Sequence, residues 1–411
     1  MQLLVWCPTI SRGGGERLLF RLVEALLENP AIKKLGIAIP ENAEAQFARL
    51  RDPENKLDVV KIPHASSRQW TIFAFVPELQ RRLRQYSTER ARKHLQQTFS
   101  NASKDFDIAY AFWAQHELFV KSDLPMVATI QDLTALEFPE ILGARETAEV
   151  RKETQQWLRN CTCVVSSYST VEKIKRLFPQ DADHLSFVHH AISPNETTNT
   201  AAITKGPEVP APYVIYPANI NVHKNHYNLL AGFARWRNQM ARLVFVGQGT
   251  ELLRESAIDE GSNLQVTRLR GLVGRLGIHE NADFFALGYV PDSELTGLIK
   301  NAWALIMPSL AEGGGSFPVE EALSLGVPVL CSNIPVMREH VADRAEAVVW
   351  FDPECPQSIA AALEQLEADY SSRKEIALRV VSVHRPNWNE VAAQYISIFE
   401  NALQQARVSV N

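Results

Sequence analysis

The residues best suited to chemistry lie in PSLAEGGGSFPVEEALSLGVP, from Pro308 to Pro328. Gly313, Gly314 and Gly315 would let backbone N–H groups approach a ligand without obstruction. Ser316 and Pro318 mark the start of a helix over Phe317–Leu325, stopped by Gly326, whose unpaired first N–H groups and dipole favour an anion. Phosphate is the natural occupant of such a turn. Glu312 before the glycines, and Glu320 and Glu321 after them, would repel phosphate but accept hydrogen bonds from the hydroxyls of a sugar or ribose. Phosphate beside polyol suggests a nucleotide sugar. The same letters also serve an ordinary turn whose glutamates offset the helix dipole.

The elements that must position these groups read as alternating strands and helices. Short apolar runs predict strands at Leu3–Cys7, Ile108–Ala111, Met126–Ile130, Cys163–Ser166, Tyr213–Tyr216, Leu243–Val246, Ala282–Leu287, Trp303–Met307 and Val327–Cys331. Amphipathic spacing predicts helices at Glu16–Glu28, Ser169–Leu177, Tyr227–Arg235, Ser293–Asn301 and Pro356–Leu366. The polar, proline-bearing stretch Ser193–Pro212 reads as a linker. The fold class is therefore α/β, as two doubly wound, Rossmann-like domains with ligand in the cleft between them. The domains are placed at 1–200 and 207–385, with a C-terminal helix at about 388–406 packing back on the first. A second glycine-rich turn, SRGGGER, follows the first strand and puts Gly14 and Gly15 at a helix start. Leu18 stands where a dinucleotide fingerprint needs its third glycine, and no GK[ST] follows to make a P-loop.

Composition narrows the function classes. A chain of 411 residues, 46% hydrophobic, can bury two cores. A net charge of −5 argues against a nucleic-acid partner. Five cysteines, scattered apart from Cys161 and Cys163, read as core thiols of a reducing compartment. With no apolar run of about eighteen residues and no basic lead at the N-terminus, a cytoplasmic location is expected. Basic and aromatic residues concentrate at 68–94, including Trp70, Phe73, Phe75, Arg81, Arg82, Arg84, Arg90, Arg92 and Lys93. They read either as a peripheral contact with an anionic inner membrane face or as solvated helix faces over buried aromatics. No metal is expected: Asp181-Ala182-Asp183 follows a helix-ending Phe-Pro and reads as a turn, and His189 and His190 alternate faces on a strand.

The Pro308–Pro328 segment resembles the signature of the retaining glycosyltransferases of family 4, the group 1 glycosyltransferases of GT-B fold, in which two glutamates bracket a glycine-containing loop. Literal spacing makes Glu320 the second glutamate, whereas registering on EALSLGVPV makes it Glu321, to which the ribose-binding role is assigned. YPANINVHKNHYNLLAGF is similar to the family's pyrophosphate-holding segment, with Lys224 at its lysine position and Asn219 at its arginine position. That spelling resembles the mannosyltransferase-like branch. VATIQDLTALEFP resembles the family's strand ending in His-Asp-Leu, with Gln131 in place of the histidine, so no imidazole can titrate there. Glu16 and Arg17, SSYSTVEKIKRLF, LGYVPDSELTGLIKNA and RPNWNEVAAQYISIF extend the likeness over nearly the whole chain.

The resemblance implies a metal-independent transfer of a sugar from a nucleotide sugar, with configuration retained, to a hydroxyl of a glycan or lipid-linked acceptor in polysaccharide biosynthesis. GDP-mannose is the first donor expected, and no cofactor. Glu312, Lys224 and Gln131 become the catalytic candidates. Asn219, His223, Lys224, Gly313, Gly314, Gly315, Ser316, Phe317 and Glu321, with Gly14 and Gly15, become the donor-binding ones. A non-catalytic nucleotide-sugar binder, or a sugar-nucleotide epimerase, is the alternative.

Overall fold

The computed structural model describes the chain apart from residues 11–13, 48–49, 51, 53, 63–76, 184, 192–207, 237–239, 258–263 and 411. The chain divides into two compact units: one of Met1–Leu133, Arg145–His190 and Asn387–Asn411, the other of Thr134–Ala144 and Ala191–Pro386. Thus a short piece around residue 140 counts with the second unit although its sequence lies inside the 1–200 span.

The first unit is built on β1 (Gln2–Trp6), β2 (Lys34–Pro40), β3 (Leu57–Ile62), β4 (Ile108–Ala111), β5 (Met126–Ile130), β6 (Thr162–Val165) and β7 (Leu185–Phe187). They pair in the order β3-β2-β1-β4-β5-β6-β7, every neighbour parallel. LLVW of β1 and IAYA of β4 are buried throughout, as strands covered on both faces require. The strand order reverses between β1 and β4, where Leu3 pairs with Ile108.

The second unit repeats the plan with β8 (Tyr213–Pro217), β9 (Arg242–Val246), β10 (Phe284–Ala286), β11 (Ala304–Met307), β12 (Val329–Ser332) and β13 (Val348–Phe351). Their order is β10-β9-β8-β11-β12-β13, again parallel throughout, with the reversal between β8 and β11. Its core gathers Val214, Ile215, Phe245, Leu305, Ile306, Val329 and Leu330 with Leu230, Phe233 and Leu363 from covering helices. Parallel strands joined by right-handed crossovers place every strand-to-helix loop on one edge, the carboxyl edge. The loops after β8 and β11 carry Lys224 and Glu312, so the fold brings two distant sequence segments to the same reversal.

Candidate active site

At that reversal Lys224 Nζ lies 2.6 Å from Glu312 Oε1, with side chains 23% and 11% exposed. The pairing is set up by the backbone. The Lys224 carbonyl accepts from the Tyr216 hydroxyl at 2.6 Å, and the His223 carbonyl accepts from Leu310 N at 2.7 Å. Asn225 closes the turn in the left-handed region, φ 58°, and its Nδ2 donates to the carbonyls of Pro308 (2.9 Å) and Pro353 (2.7 Å). One asparagine thereby fastens the loops after β8, β11 and β13 together. His226, the next residue, is buried beneath them; burial lowers it to about 3, so it is a neutral packing ring and adds no charge.

The glycine loop forms as its sequence predicts. Helix Phe317–Ser324 begins with Pro318 in its first turn, and Gly326 follows at φ 64°. Gly315 takes φ 134°, and a Cβ there would collide with the His340 ring, so only glycine fits. Ser316 occupies the N-cap, yet its hydroxyl makes no cap hydrogen bond, and Oγ is buried with no partner among the described residues. Such an atom at a helix start is left with hydrogen-bonding capacity to spare.

The two candidate second glutamates separate clearly. Glu320 is 2% exposed and accepts from Arg344 (2.7 and 2.8 Å), His340 (2.9 Å) and Arg385 (3.3 Å). Burial alone would raise its pKa, but the hydrogen bonds and charges of His340 and Arg344 outweigh that and hold it at about 2. Glu320 is therefore a structural anion that clamps Arg344 to the helix. Glu321 is also buried, one residue and about 100° further around the helix.

Other predicted residues prove to be engaged by protein groups. Asn219 Oδ1 accepts from Gln248 N at 2.8 Å, tying the loop after β8 to that after β9. Gln131, in the first unit, has Oε1 2.6 Å from His190 Nε2, while its Nε2 donates to the Phe112 carbonyl at 3.2 Å. Both ends of that amide are thus spent on protein groups. Gly14 and Gly15 open helix Gly14–Glu28, and a Cβ on Gly15 would run into the Trp113 ring at the end of β4. Arg92, part of the basic segment, pairs with buried Glu153 at 2.6 Å, its own side chain remaining 39% exposed. The aromatic residues 70, 73 and 75 lie outside the described residues. Asp181 of the Asp-Ala-Asp turn pairs with Arg159 at 2.6 Å. Among the described residues no group of three or more His, Cys, Asp or Glu is arranged to hold a metal ion, and no helix is long and apolar enough to cross a membrane.

Two groups escaped the sequence reading. Glu117, in the loop after β4, accepts from Thr9 N (2.8 Å) and Thr9 Oγ1 (2.6 Å), and burial pushes its carboxyl up to about 8. Asn225 carries the loop junction described above. Neither sits in a spacing that signals its role, since each acts through partners remote in sequence.

Residues 203–379 match the model of the family described as glycosyl transferases group 1. Over 115 residues, 28% of this chain and 29% of the relative, the sequence is 36% identical to O-antigen chain mannosyltransferase B of Escherichia coli. Over 211 residues, 51% of this chain and 52% of the relative, it is 22% identical to O-antigen chain mannosyltransferase RfbU of Salmonella typhimurium. The matched segments thus span under a third and about half of those relatives. The crystal structure of Anabaena HepE in complex with UDP and glucose superposes with a TM-score of 0.59 at 15% identity, covering 100% of this chain and 99% of that one. At that identity the likeness is one of fold, the GT-B architecture of two parallel-sheet α/β units.

Proposed function

From the premise that residues 203–379 belong to the glycosyl transferases group 1, we propose that the chain moves a hexose from a nucleoside diphosphate sugar to a hydroxyl of a glycan or lipid-linked acceptor. The names of the two O-antigen chain mannosyltransferase relatives support mannose and a setting in polysaccharide biosynthesis, while GDP as the nucleotide and retention at the anomeric carbon rest on the motif resemblance. The observation that carries this reading is the Lys224–Glu312 pair, set at the strand reversal beside a glycine loop and a buried, unsatisfied Ser316 hydroxyl.

The pair divides the work between charge and hydroxyl recognition. Without ligand each side chain neutralises the other. When donor arrives, the ammonium of Lys224 turns to the diphosphate, whose charge grows as the glycosidic bond breaks. Glu312 is released to accept a hydroxyl of the sugar, orienting it for attack from the face the diphosphate leaves. The amides of Gly313, Gly314, Gly315 and Phe317 and the Ser316 hydroxyl hold phosphate oxygens, and the helix dipole favours their charge. Glu321 takes the ribose hydroxyls. The departing phosphate oxygen receives the acceptor proton, so the chemistry needs no titrating side chain at Gln131, and metal ions are dispensable.

Incubation with a panel of nucleotide sugars, GDP-mannose first, tests the reading. Release of nucleoside diphosphate that requires an acceptor, with the α or β configuration of the donor preserved in the product, is the expected result. Donor binding without turnover on any acceptor would point to a binding protein, and conversion of free donor without acceptor would point to an epimerase.

A further inference from the structure

His340 ends the short helix Pro335–His340 after β12 and is 4% exposed. Its ring fills the space that a Cβ on Gly315 would take, so the imidazole is the wall against which the glycine loop turns. Its Nε2 faces two groups with opposite demands. Glu320 Oε1, 2.9 Å away, needs a hydrogen on that nitrogen, whereas the Ser316 N–H points at it from 3.4 Å and needs its lone pair. One ring nitrogen serves only one of them. Glu320 is held ionised by its charged partners, and a bare nitrogen 2.9 Å from a carboxylate oxygen would set lone pair against lone pair. The hydrogen therefore sits on Nε2 and goes to Glu320, in the neutral ring and the cation alike. The Ser316 N–H, which meets no other acceptor among the described residues, is left as a donor to spare beside the buried Ser316 hydroxyl.

The ring and the backbone of His340 are both fastened. Arg344 meets both oxygens of Glu320, at 2.7 and 2.8 Å, while Arg385 donates to Glu320 Oε1 (3.3 Å) and to the His340 carbonyl (3.2 Å). Asp343 accepts from both guanidinium groups, at 3.2 Å from Arg344 and 3.1 Å from Arg385. These two carboxylates and two guanidinium groups cancel in charge, so what they supply to the loop is place. Resting on the nucleotide-sugar reading above, we propose that His340, held by Glu320 and Arg385, is a positioning residue for the phosphate groups. It sets the path of the loop at Gly315 and, by spending its Nε2 hydrogen on Glu320, leaves the Ser316 N–H and hydroxyl to an anionic oxygen. Buried donors without partners carry a desolvation cost that such an oxygen removes. The effect is confined to phosphate, because the turn presents donors only.

Titration of the full chain with GDP and guanosine, and with UDP and uridine, isolates that contribution, since the nucleosides lack the phosphates. His340→Ala is expected to lower the diphosphate-to-nucleoside affinity ratio about 10- to 100-fold, with nucleoside affinity unchanged, which also shows the variant to be folded. His340→Gln, whose amide N–H can still reach Glu320, is expected to restore most of the ratio. Arg385→Gln leaves Arg344 on Glu320 and is expected to lower the ratio about 3- to 10-fold. An unchanged ratio in both His340→Ala and Arg385→Gln, or equal losses for nucleoside and diphosphate, would reduce the cluster to a structural clamp and overturn the proposal while the transferase reading stands. Should His340→Ala fail to fold, the ratio in Arg385→Gln decides alone. Failure of the unmodified chain to bind either diphosphate would overturn the transferase reading, and this proposal with it.

Discussion

Lys224 and Glu312 were legible as separate residues because each sits in a short motif, but their contact was not, since 88 positions separate them and only the strand order closes the gap. Their pairing makes opposite kinetic signatures testable. Lys224→Ala removes the cation that meets the leaving diphosphate, and kcat/KM is expected to fall about 100- to 1,000-fold. Glu312→Gln leaves that cation unpaired, so nucleoside diphosphate should bind at least as well while kcat drops by a similar factor. Equal weakening of nucleotide affinity in both variants, measured calorimetrically, would show that the pair is only a structural tie. Glu320 and Glu321 illustrate the limit of letters: helical spacing shows that they point apart, while the Arg344, His340 and Arg385 partners that claim Glu320 come from later segments. Glu117 was invisible for the same reason, and it carries a pH effect. Its ordinary pKa is 4.5 and its folded value about 8, so the folded chain keeps a proton that the unfolded chain releases. Its contribution is complete below about pH 4.5 and is lost as pH rises through 8, a difference on the order of 5 kcal/mol. Glu117→Gln keeps the acceptor for Thr9 but cannot ionise. Thermal melts of the variant should lose the destabilisation between pH 5 and 9; an unaltered pH slope would mean that Glu117 is not the group responsible.

At the scale of elements, the strands found from sequence are the central ones, β1, β4, β5, β6, β8, β9 and β11 among them, whose side chains are apolar on both faces. The edge strand β3, LDVVKI, was not singled out, because only Ile62 is fully buried and its charges interrupt any run. β2 was hidden by Gly36 and Pro40, and Gly36 is there because the Phe106 ring occupies the space a Cβ would take. Ala282–Leu287 shrinks to the three residues Phe284–Ala286, since Asp283 instead accepts from His279 N at 2.8 Å in a turn. Helices Pro77–Ala102 and Ala144–Asn160 were not singled out, because both are rich in charge and poor in apolar residues. The junction at Asn225 is the element-scale feature that most directly sets the site. It combines two side-chain hydrogen bonds to carbonyls of other loops with a left-handed backbone that asparagine tolerates. Asn225→Ala forfeits both bonds and strains the turn, about 2–4 kcal/mol together. Asn225→Gly relieves the strain but not the bonds and should lie between. Denaturant unfolding of the second unit, followed by Trp303 and Trp236 fluorescence, would contradict this if the alanine variant matched the parent.

For the whole molecule, the chain's last helix belongs to the unit formed by its first residues. Helix Trp388–Val410 buries Val391, Ala392, Tyr395, Ile396, Phe399 and Ala402 along one face, a helical spacing that the sequence shows without saying which sheet it covers. In the structure the Tyr110 ring contacts those of Tyr395 and Phe399, at 5.4 and 5.3 Å between centroids. The Thr129 hydroxyl lies 2.7 Å from that of Tyr110 and 3.3 Å from that of Tyr395. These partners sit on β4 and β5, so the helix completes the core beneath the reversal that carries Gly14 and Gly15. A face of this size contributes more than a typical domain's net stability, since each large side chain fully buried is worth about 1.5–3 kcal/mol. Removal of residues 388–411 should therefore unfold the first unit and leave the second intact. Hydrogen exchange read by mass spectrometry should show protection lost across β1, β4 and β5 and retained across β8 and β11, whose core draws nothing from that helix. The single change Phe399→Ala should lower stability by about 3–5 kcal/mol in the same unit. Because Lys224, Glu312, Ser316 and Glu321, proposed to hold the diphosphate, sugar and ribose, all lie in the second unit, the truncated chain should still bind nucleoside diphosphate while losing transfer to acceptor. Retained protection of β1, β4 and β5 after truncation would show that the N-terminal sheet stands without its distant helix.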